Sequence, residues 1–160
     1  MHINNVEDSG FQKSVKPLVQ QVLDNFTKEN KGLDYGCGNG PVITHLLSKK
    51  GFDIALYDPF YNPNVSVLER HYDFIICNEV MEHFYHPQDE FKILYHLLKP
   101  NGKLICGTQL YTSDIDFDTW FYKNDPTHVF FYTEMCLNWI CSNIGFKAVK
   151  RLGNCITFQK

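Results

Sequence analysis

Three glycines at alternate positions follow a short apolar stretch in LDYGCGNG, residues 33–40. Glycine tolerates positive φ and lets a ligand approach the backbone closely, and Asn39 also tolerates the left-handed region. Asp34 stands two residues before Gly36. A carboxylate there would repel a pyrophosphate but attract an ammonium group. The loop therefore favours a cationic small molecule over a dinucleotide, whose loop has the pattern GxGxxG.

A second carboxylate, Asp58, ends the next predicted strand, roughly 20 residues after the glycine loop. In open α/β sheets a carboxylate at that point binds the hydroxyls of a ribose. A nucleoside that carries an ammonium group and no phosphates suits both carboxylates. S-adenosylmethionine fits this description.

The ordered motifs resemble the class I S-adenosylmethionine-dependent methyltransferases. The matching segments are LDYGCGNG, ALYDP, YDFIICNEVMEH and LLKPNGKLICGT, and GFKAVKRL with CITFQK is similar to the family's final strand pair. The resemblance covers about residues 31–160 and implies S-adenosylmethionine as the cofactor. The implied cofactor-binding residues are Asp34, Tyr35, Gly36, Cys37, Gly38, Asn39, Gly40, Asp58, Pro59, Asn78, Glu79, Val80 and His83.

Strand and helix signals alternate along the chain and predict an α/β fold, a Rossmann-like three-layer sandwich. Apolar residues at helical spacing predict four helices. These cover residues 14–27, 41–50, 88–98 and 133–144. Gly153-Asn154 predicts a closing hairpin, which adds an antiparallel strand at or near one edge of a mostly parallel sheet of six or seven strands. Since no linker is visible, residues 1–160 are expected to form a single methyltransferase domain.

The connection after the second predicted strand is short, because only residues 59–71 separate Asp58 from Tyr72. The resemblance implies a helix, a strand and another helix in this place. The sheet is therefore expected to lack one edge strand. The long polar insertions that often cap the substrate site in the family are also absent. Residues 109–128, irregular in pattern, and the predicted N-terminal helix come closest to a cap.

The segment EVMEHF places Glu79, Glu82 and His83 on one face if it forms a helical turn. Ubiquinone-pathway O-methyltransferases, which the chain resembles, have a similar Glu-x-x-Glu-His. The resemblance therefore leaves open that these residues bind a divalent metal ion. The alternative is that Glu79 touches the cofactor and His83 packs against the loop. We predict the second arrangement, in which these residues do not form a metal site.

Aromatic and acidic residues crowd the segment DFDTWFYKNDPTHVFFYT, which follows the predicted strand KLICGT. Histidine can remove a proton from a hydroxyl at neutral pH, so His128 is the predicted catalytic residue. Its other possible role is to fix the loop. Residues 130–132 are predicted to be core, and an aromatic cage that binds an amine remains open.

Composition limits the partners and the compartment. The net charge of -3 gives no broad attraction to nucleic acid or to an anionic membrane, so a small-molecule methyl acceptor is expected. The six cysteines stand singly without a CxxC pair, which predicts free thiols rather than zinc or disulfides. The start MHINNVEDSG has no apolar core of a signal peptide, and no apolar run approaches the ~20 residues of a membrane span. A cytoplasmic protein is expected.

The predicted function is methyl transfer from S-adenosylmethionine to an oxygen, nitrogen or carbon of a small molecule. The reaction is an in-line displacement at a carbon that the sulfonium activates, so the protein must chiefly align donor and acceptor. Two other classes stay open. One is a cofactor-binding module that regulates or scaffolds a partner without catalysis. The other is a nicotinamide-dependent oxidoreductase, against which Asp34 and the GxGxG spacing argue.

Overall fold

A six-stranded sheet forms the centre of the computed structural model, which describes residues 6–160. The strands are β1 (Lys31–Tyr35), β2 (Asp53–Tyr57), β3 (Tyr72–Asn78), β4 (Leu98–Gly107), β5 (Ala148–Leu152) and β6 (Cys155–Gln159). Their spatial order is β2-β1-β3-β4-β6-β5. Strands β1 to β4 are parallel, whereas β6 runs antiparallel to both β4 and β5. This confirms the predicted mostly parallel sheet with a C-terminal antiparallel hairpin.

Helices cover both faces of the sheet, as the Rossmann-like prediction requires. They are α1 (Ser9–Asn25), α2 (Val42–Ser48), α3 (Pro87–Leu97) and α4 (Glu134–Ile144). The apolar residues of α1 and α2 pack with Phe74 and Ile76 of β3. Those of α3 and α4 pack with Ile75 and Cys77, whose side chains point to the other face. Side chains of β3 alternate between the two faces of the sheet, and each face is covered by helices, which gives the three layers.

Helix α1 begins five residues before the predicted start at residue 14. The side chain of Asp8 caps it by accepting a hydrogen bond from the backbone N–H of Phe11 (2.8 Å). The prediction missed this first turn because Ser9 and Gly10 are weak helix formers that carry no apolar signal. Residues 1–5, the first half of the polar start, lie outside the described residues.

Strand β2 is an edge of the sheet, which confirms the predicted lack of one edge strand in the described part of the chain. Residues 58–71 contain an isolated bridge between Asp58 and Asn62 and a short 3₁₀ turn, Val65–Glu69, before β3 begins. A parallel crossover with its own helix needs a dozen or more residues, and an additional strand needs several more. The connection is therefore too short for both.

Strands β1 and β3 are neighbours, but their crossovers lead in opposite directions, to β2 and to β4. Ligands of open α/β sheets bind at such a switch point, beyond the carboxyl ends of the strands. Gly36 follows β1 with φ at +78°, and a Cβ at this position would overlap the side chain of Val80. Glycine is thus needed where the loops after β1 and β3 touch.

No helix within residues 6–160 is both long enough and apolar enough to cross a bilayer.

Replacing Phe91 by alanine should lower the free energy of unfolding by about 3–5 kcal/mol, because a large cavity would remain. Phe91 on α3 is fully buried, and its ring contacts the rings of Phe84, Tyr132 and Phe158. Urea unfolding measures the loss. The control is Ile93→Ala on the same helix, where the side chain is exposed; equal losses for the two variants would contradict the described packing.

Candidate active site

Asp34, in β1, is buried beneath the glycine loop with 5% of its surface exposed. Its Oδ2 accepts a hydrogen bond from Thr44 Oγ1 of α2 (2.7 Å). Burial raises the pKa of Asp34 to about 6 despite this bond, and the nearby Asp58 adds to the rise. Sequence reasoning missed Thr44. The available signal was a hydroxyl among the buried apolar residues of a helix that directly follows the loop.

Asp58 joins the glycine loop to the end of β2. Its Oδ2 accepts from the backbone N–H of Gly38 (3.0 Å), and its Oδ1 accepts from those of Phe60 (2.8 Å) and Tyr61 (2.9 Å). Pro59 is exposed, as is 85% of Phe60. The structure thus brings both predicted carboxylates, Asp34 and Asp58, to the same end of the sheet.

The rest of the loop is fixed by backbone contacts. The N–H groups of Gly36 and Cys37 both donate to the carbonyl oxygen of Tyr57 (2.8 and 3.1 Å). The Cys37 side chain is buried, which raises the pKa of its thiol to about 12. Tyr35 turns away to donate its hydroxyl to Glu90 of α3 (3.0 Å). Asn39 is exposed, and the Gly40 carbonyl accepts the first bond at the start of α2.

Asn78 and Glu79 mark the carboxyl end of β3. Asn78 pairs in register with Gly107 of β4, where a Cβ would overlap the Asn78 side chain. Glu79 has a left-handed backbone with φ at +51°, which is uncommon for a non-glycine residue. Its N–H donates to the Gly107 carbonyl (2.8 Å). Its carboxyl group points to the cap segment, our name for residues 109–132, where the Tyr122 hydroxyl lies 3.0 Å away.

Glu82 is fully buried and forms more hydrogen bonds to the cap segment than Glu79 does. Its carboxylate accepts from the hydroxyls of Tyr122 (2.6 Å) and Thr108 (3.0 Å). Its backbone carbonyl accepts from the N–H groups of Val129 and Phe130 (2.9 and 3.1 Å). Although Glu79 as a whole residue is exposed, the withdrawal of its carboxyl group from water and the repulsion by Glu82 raise the pKa of Glu79 to about 8. The Tyr122 hydroxyl lies in contact with both carboxyl groups.

His83 and His128 lie face to edge, with ring centroids 4.9 Å apart. The Nδ1 of His83 lies 2.8 Å from the Thr127 carbonyl, and that of His128 lies 2.7 Å from the Tyr122 carbonyl. Because a carbonyl only accepts, Nδ1 is the protonated nitrogen in each ring, and Nε2 of the neutral ring keeps its lone pair. The Nε2 of His128 lies 4.0 Å from Glu82 Oε1 and 3.9 Å from Asp125 Oδ2.

The ligand atoms of Glu82, His83 and His128 lie within 4.8 Å of one another, close enough to hold a metal ion. This set differs from the one that the sequence suggested, because His128 takes the place of Glu79. Two imidazoles and a carboxylate suit transition metals better than magnesium. The predicted absence of a metal stays a prediction.

Aromatic side chains form a connected cluster in the cap segment. Its members are Tyr111, Phe117, Trp120, Tyr122 and Phe131, with neighbouring ring centroids 5.3 to 5.7 Å apart. Lys123 Nζ lies 5.2 Å from the centre of the Phe117 ring. Tyr132 is buried core, as predicted, whereas Phe130 is 37% exposed.

The fold and this site define a class of nucleoside-binding α/β domains, and comparison with known proteins names the family. A family model described as "Methyltransferase domain" matches residues 9–151. The chain belongs to this family. Among solved structures, it is similar to a SAM-dependent methyltransferase of Archaeoglobus fulgidus, with a TM-score of 0.72, 16% identity, and coverage of 96% of this chain and 100% of that chain.

Other similar proteins differ in their acceptors. The Burkholderia thailandensis 1,6-didemethyltoxoflavin-N1-methyltransferase, solved with S-adenosylhomocysteine, has a TM-score of 0.67 and 14% identity over 96% of this chain and 79% of that chain. A tRNA U34 carboxymethyltransferase of Helicobacter pylori is 27% identical over 68% of this chain. A mitochondrial ubiquinone biosynthesis O-methyltransferase of Schizosaccharomyces pombe is 28% identical over 49% of this chain and 37% of that protein. The chain spans 51% of the Helicobacter relative's length.

Replacing Asp34 by asparagine should make stability less dependent on pH. The pKa of Asp34 rises from 3.8 to about 6 in the folded protein, so the folded state binds more protons than the unfolded state in this interval. Stability is therefore fully present below about pH 4 and falls as the pH rises towards 6. Asp34→Asn should be more stable than the wild type at pH 7.5 by up to about 3 kcal/mol, and similar to it near pH 4.

Urea unfolding at a series of pH values measures this difference. Asp24→Asn is the control, because Asp24 is exposed on α1. If Asp34→Asn follows the wild-type curve at every pH, the Asp34 carboxyl group does not carry a raised pKa.

Proposed function

We propose that the chain is an S-adenosylmethionine-dependent methyltransferase that acts on a small molecule, with residues 1–160 working as one domain. The observation that carries the proposal is the assembly of Asp34, the glycine loop and Asp58 at the switch point between β1 and β3. Family membership supports it, as do structural neighbours described with bound S-adenosylmethionine or S-adenosylhomocysteine.

The residues present suit this cofactor. Asp34 is a buried carboxylate that gains a counter-charge when an ammonium group binds beside it. Asp58 ends the strand at the position proposed for the ribose, and three backbone N–H groups fix the orientation of its carboxylate. When bound, the cofactor supplies an activated methyl group, and the protein then holds donor and acceptor in line and excludes water.

The cap segment supplies the acceptor side in this proposal. Tyr122 and His128 connect it to Glu82 at the carboxyl end of β3. If the acceptor is a hydroxyl, His128 Nε2 takes its proton as the methyl group arrives, because Nδ1 is occupied by the Tyr122 carbonyl. An oxygen, a nitrogen or a carbon acceptor is compatible with this arrangement.

A small acceptor and a cytoplasmic location belong to the same proposal. The tRNA relative acts on a nucleic acid, but the net charge of this chain is -3, which does not favour a polyanion. All six cysteines are free, as suits a reducing compartment.

Binding of the cofactor is the direct test. Isothermal titration calorimetry should give micromolar affinity for S-adenosylmethionine and S-adenosylhomocysteine, roughly -8 kcal/mol, and no heat with NAD. Asp58→Ala should weaken this binding by about 1–3 kcal/mol, because charge-assisted hydrogen bonds to the ribose are lost. Asp24→Ala on the exposed face of α1 is the control. Absence of heat with both cofactor forms would reject the proposal, and binding without turnover on any acceptor would favour the regulatory module.

His128→Ala should cut turnover by about 10²–10⁴-fold while cofactor affinity stays nearly unchanged, because a proton acceptor is lost. His128→Asn keeps a hydrogen-bonding group and separates proton removal from loop support. Treatment with EDTA separates a base from a metal ligand, and turnover should survive it. A parallel loss of stability, cofactor binding and turnover in His128→Ala would instead show that His128 fixes the cap segment.

A further inference from the structure

Two carboxyl groups at the proposed acceptor side form no ion pair with a lysine or an arginine of residues 6–160. Glu79 is exposed and Glu82 is buried. The lysines and arginines that form ion pairs within residues 6–160 pair with other acidic groups, at Asp53, Asp73, Asp89 and Glu134. Tyr122, His83 and His128 surround the two glutamates instead. A cationic ligand would supply the missing counter-charge.

The backbone of Glu79 holds its carboxyl group in place. Its positive φ places it in the left-handed region, and such conformations persist at functional sites when the surrounding structure fixes them. The N–H of Glu79 is bound to the Gly107 carbonyl, and its carboxyl group contacts the Tyr122 hydroxyl. The carboxyl group is thus aimed between β3 and the cap segment, while the residue as a whole is exposed at the surface.

The aromatic cluster lies directly beside the Glu79 carboxyl group, because Tyr122 is a member of the cluster and its hydroxyl contacts that carboxyl group. Trp120 packs against Tyr122 with ring centroids 5.3 Å apart. Lys123 Nζ already lies over the Phe117 ring, so a face of the cluster accepts a cation within the chain itself. Such a surface suits the carbon skeleton of a ligand whose charge is positive.

The surroundings are also acidic. The cap segment contains Asp114, Asp116, Asp118 and Asp125 but a single lysine, Lys123. A phosphate backbone is bound through several lysines and arginines, and a carboxylate ligand would meet the same negative field. These residues disfavour an anionic acceptor.

We propose that Glu79 selects a methyl acceptor that carries a protonated amine, and that the aromatic cluster of the cap segment binds the carbon skeleton beside it. The inference rests on the proposed function and narrows its acceptor from any small molecule to a cationic one. The amine is the recognition group, and the methylated atom lies elsewhere on the acceptor or at the nitrogen itself once its proton has left.

Three probes that share one phenyl ring isolate the charge: 2-phenylethylamine, 2-phenylethanol and phenylacetate. Each is titrated by calorimetry into protein saturated with S-adenosylhomocysteine, whose own binding is measured first. Because the pKa of Glu79 is raised to about 8, the titrations are run at pH 8.5, where an alkylamine still carries its proton. The amine should bind at least about tenfold more tightly than either other probe, as a charge-assisted contact predicts.

Glu79→Gln should abolish this preference and leave the affinity for 2-phenylethanol unchanged. Its affinity for S-adenosylhomocysteine is measured first, because Glu79 is also a predicted cofactor-binding residue, and all three probes are then compared at saturation. Glu29→Gln is the matched control, because Glu29 is exposed before β1, at the opposite end of the sheet, and it should keep the preference. A short polyuridylate RNA serves as the polyanion.

Binding of phenylacetate or the RNA as tight as that of the amine would overturn the inference, as would an amine that binds no better than 2-phenylethanol. A preference that survives in Glu79→Gln would also overturn the role of Glu79. Failure to bind S-adenosylhomocysteine rejects the proposed function instead, so the two failures are distinguishable.

Discussion

The buried carboxylate of Glu82 is the contact on which the candidate active site depends. A carboxylate removed from water is unfavourable unless hydrogen bonds satisfy it. Here the hydroxyls of Thr108 and Tyr122 do so, one from the segment after β4 and the other from the cap segment. The same residue's backbone carbonyl holds Val129 and Phe130. One turn after β3 thereby fixes the position of the cap segment.

The glycine loop shows a second compromise between stability and binding. Asp34 is buried without a cation beside it, which raises its pKa to about 6 and makes its charged form unfavourable in the folded protein. Thr44 offsets part of this effect with one hydrogen bond. A cationic ligand would stabilise such a carboxylate, because it supplies the positive charge that the folded protein does not place beside it. Asp58 differs, because three backbone N–H groups already satisfy it.

Particular residues show how far sequence reasoning reached. Asp34, Gly36 and Asp58 lie at one end of the sheet as the sequence predicted, because strand ends and glycine spacing are local features and parallel strands bring their carboxyl ends to one side. Their role in cofactor binding stays a prediction. Thr44 and Thr108 were missed, because a hydroxyl in an apolar stretch indicates a buried polar group but does not show which carboxylate it will meet. His83 was expected at the cofactor, but the contacts of its ring in the structure are with Thr127 and His128 of the cap segment. Its role in cofactor binding stays a prediction.

The amino-acid order alone determined the alternating elements, the short connection that removes an edge strand, and the carboxylates beside the glycine loop. Each depends on neighbours a few residues apart or on the general geometry of parallel sheets. Only the tertiary structure decided that His128 joins Glu82 and His83 rather than Glu79, and that Tyr122 contacts two glutamates 40 or more positions away. The path of an irregular segment across a sheet follows from packing and buried hydrogen bonds, which no local pattern encodes.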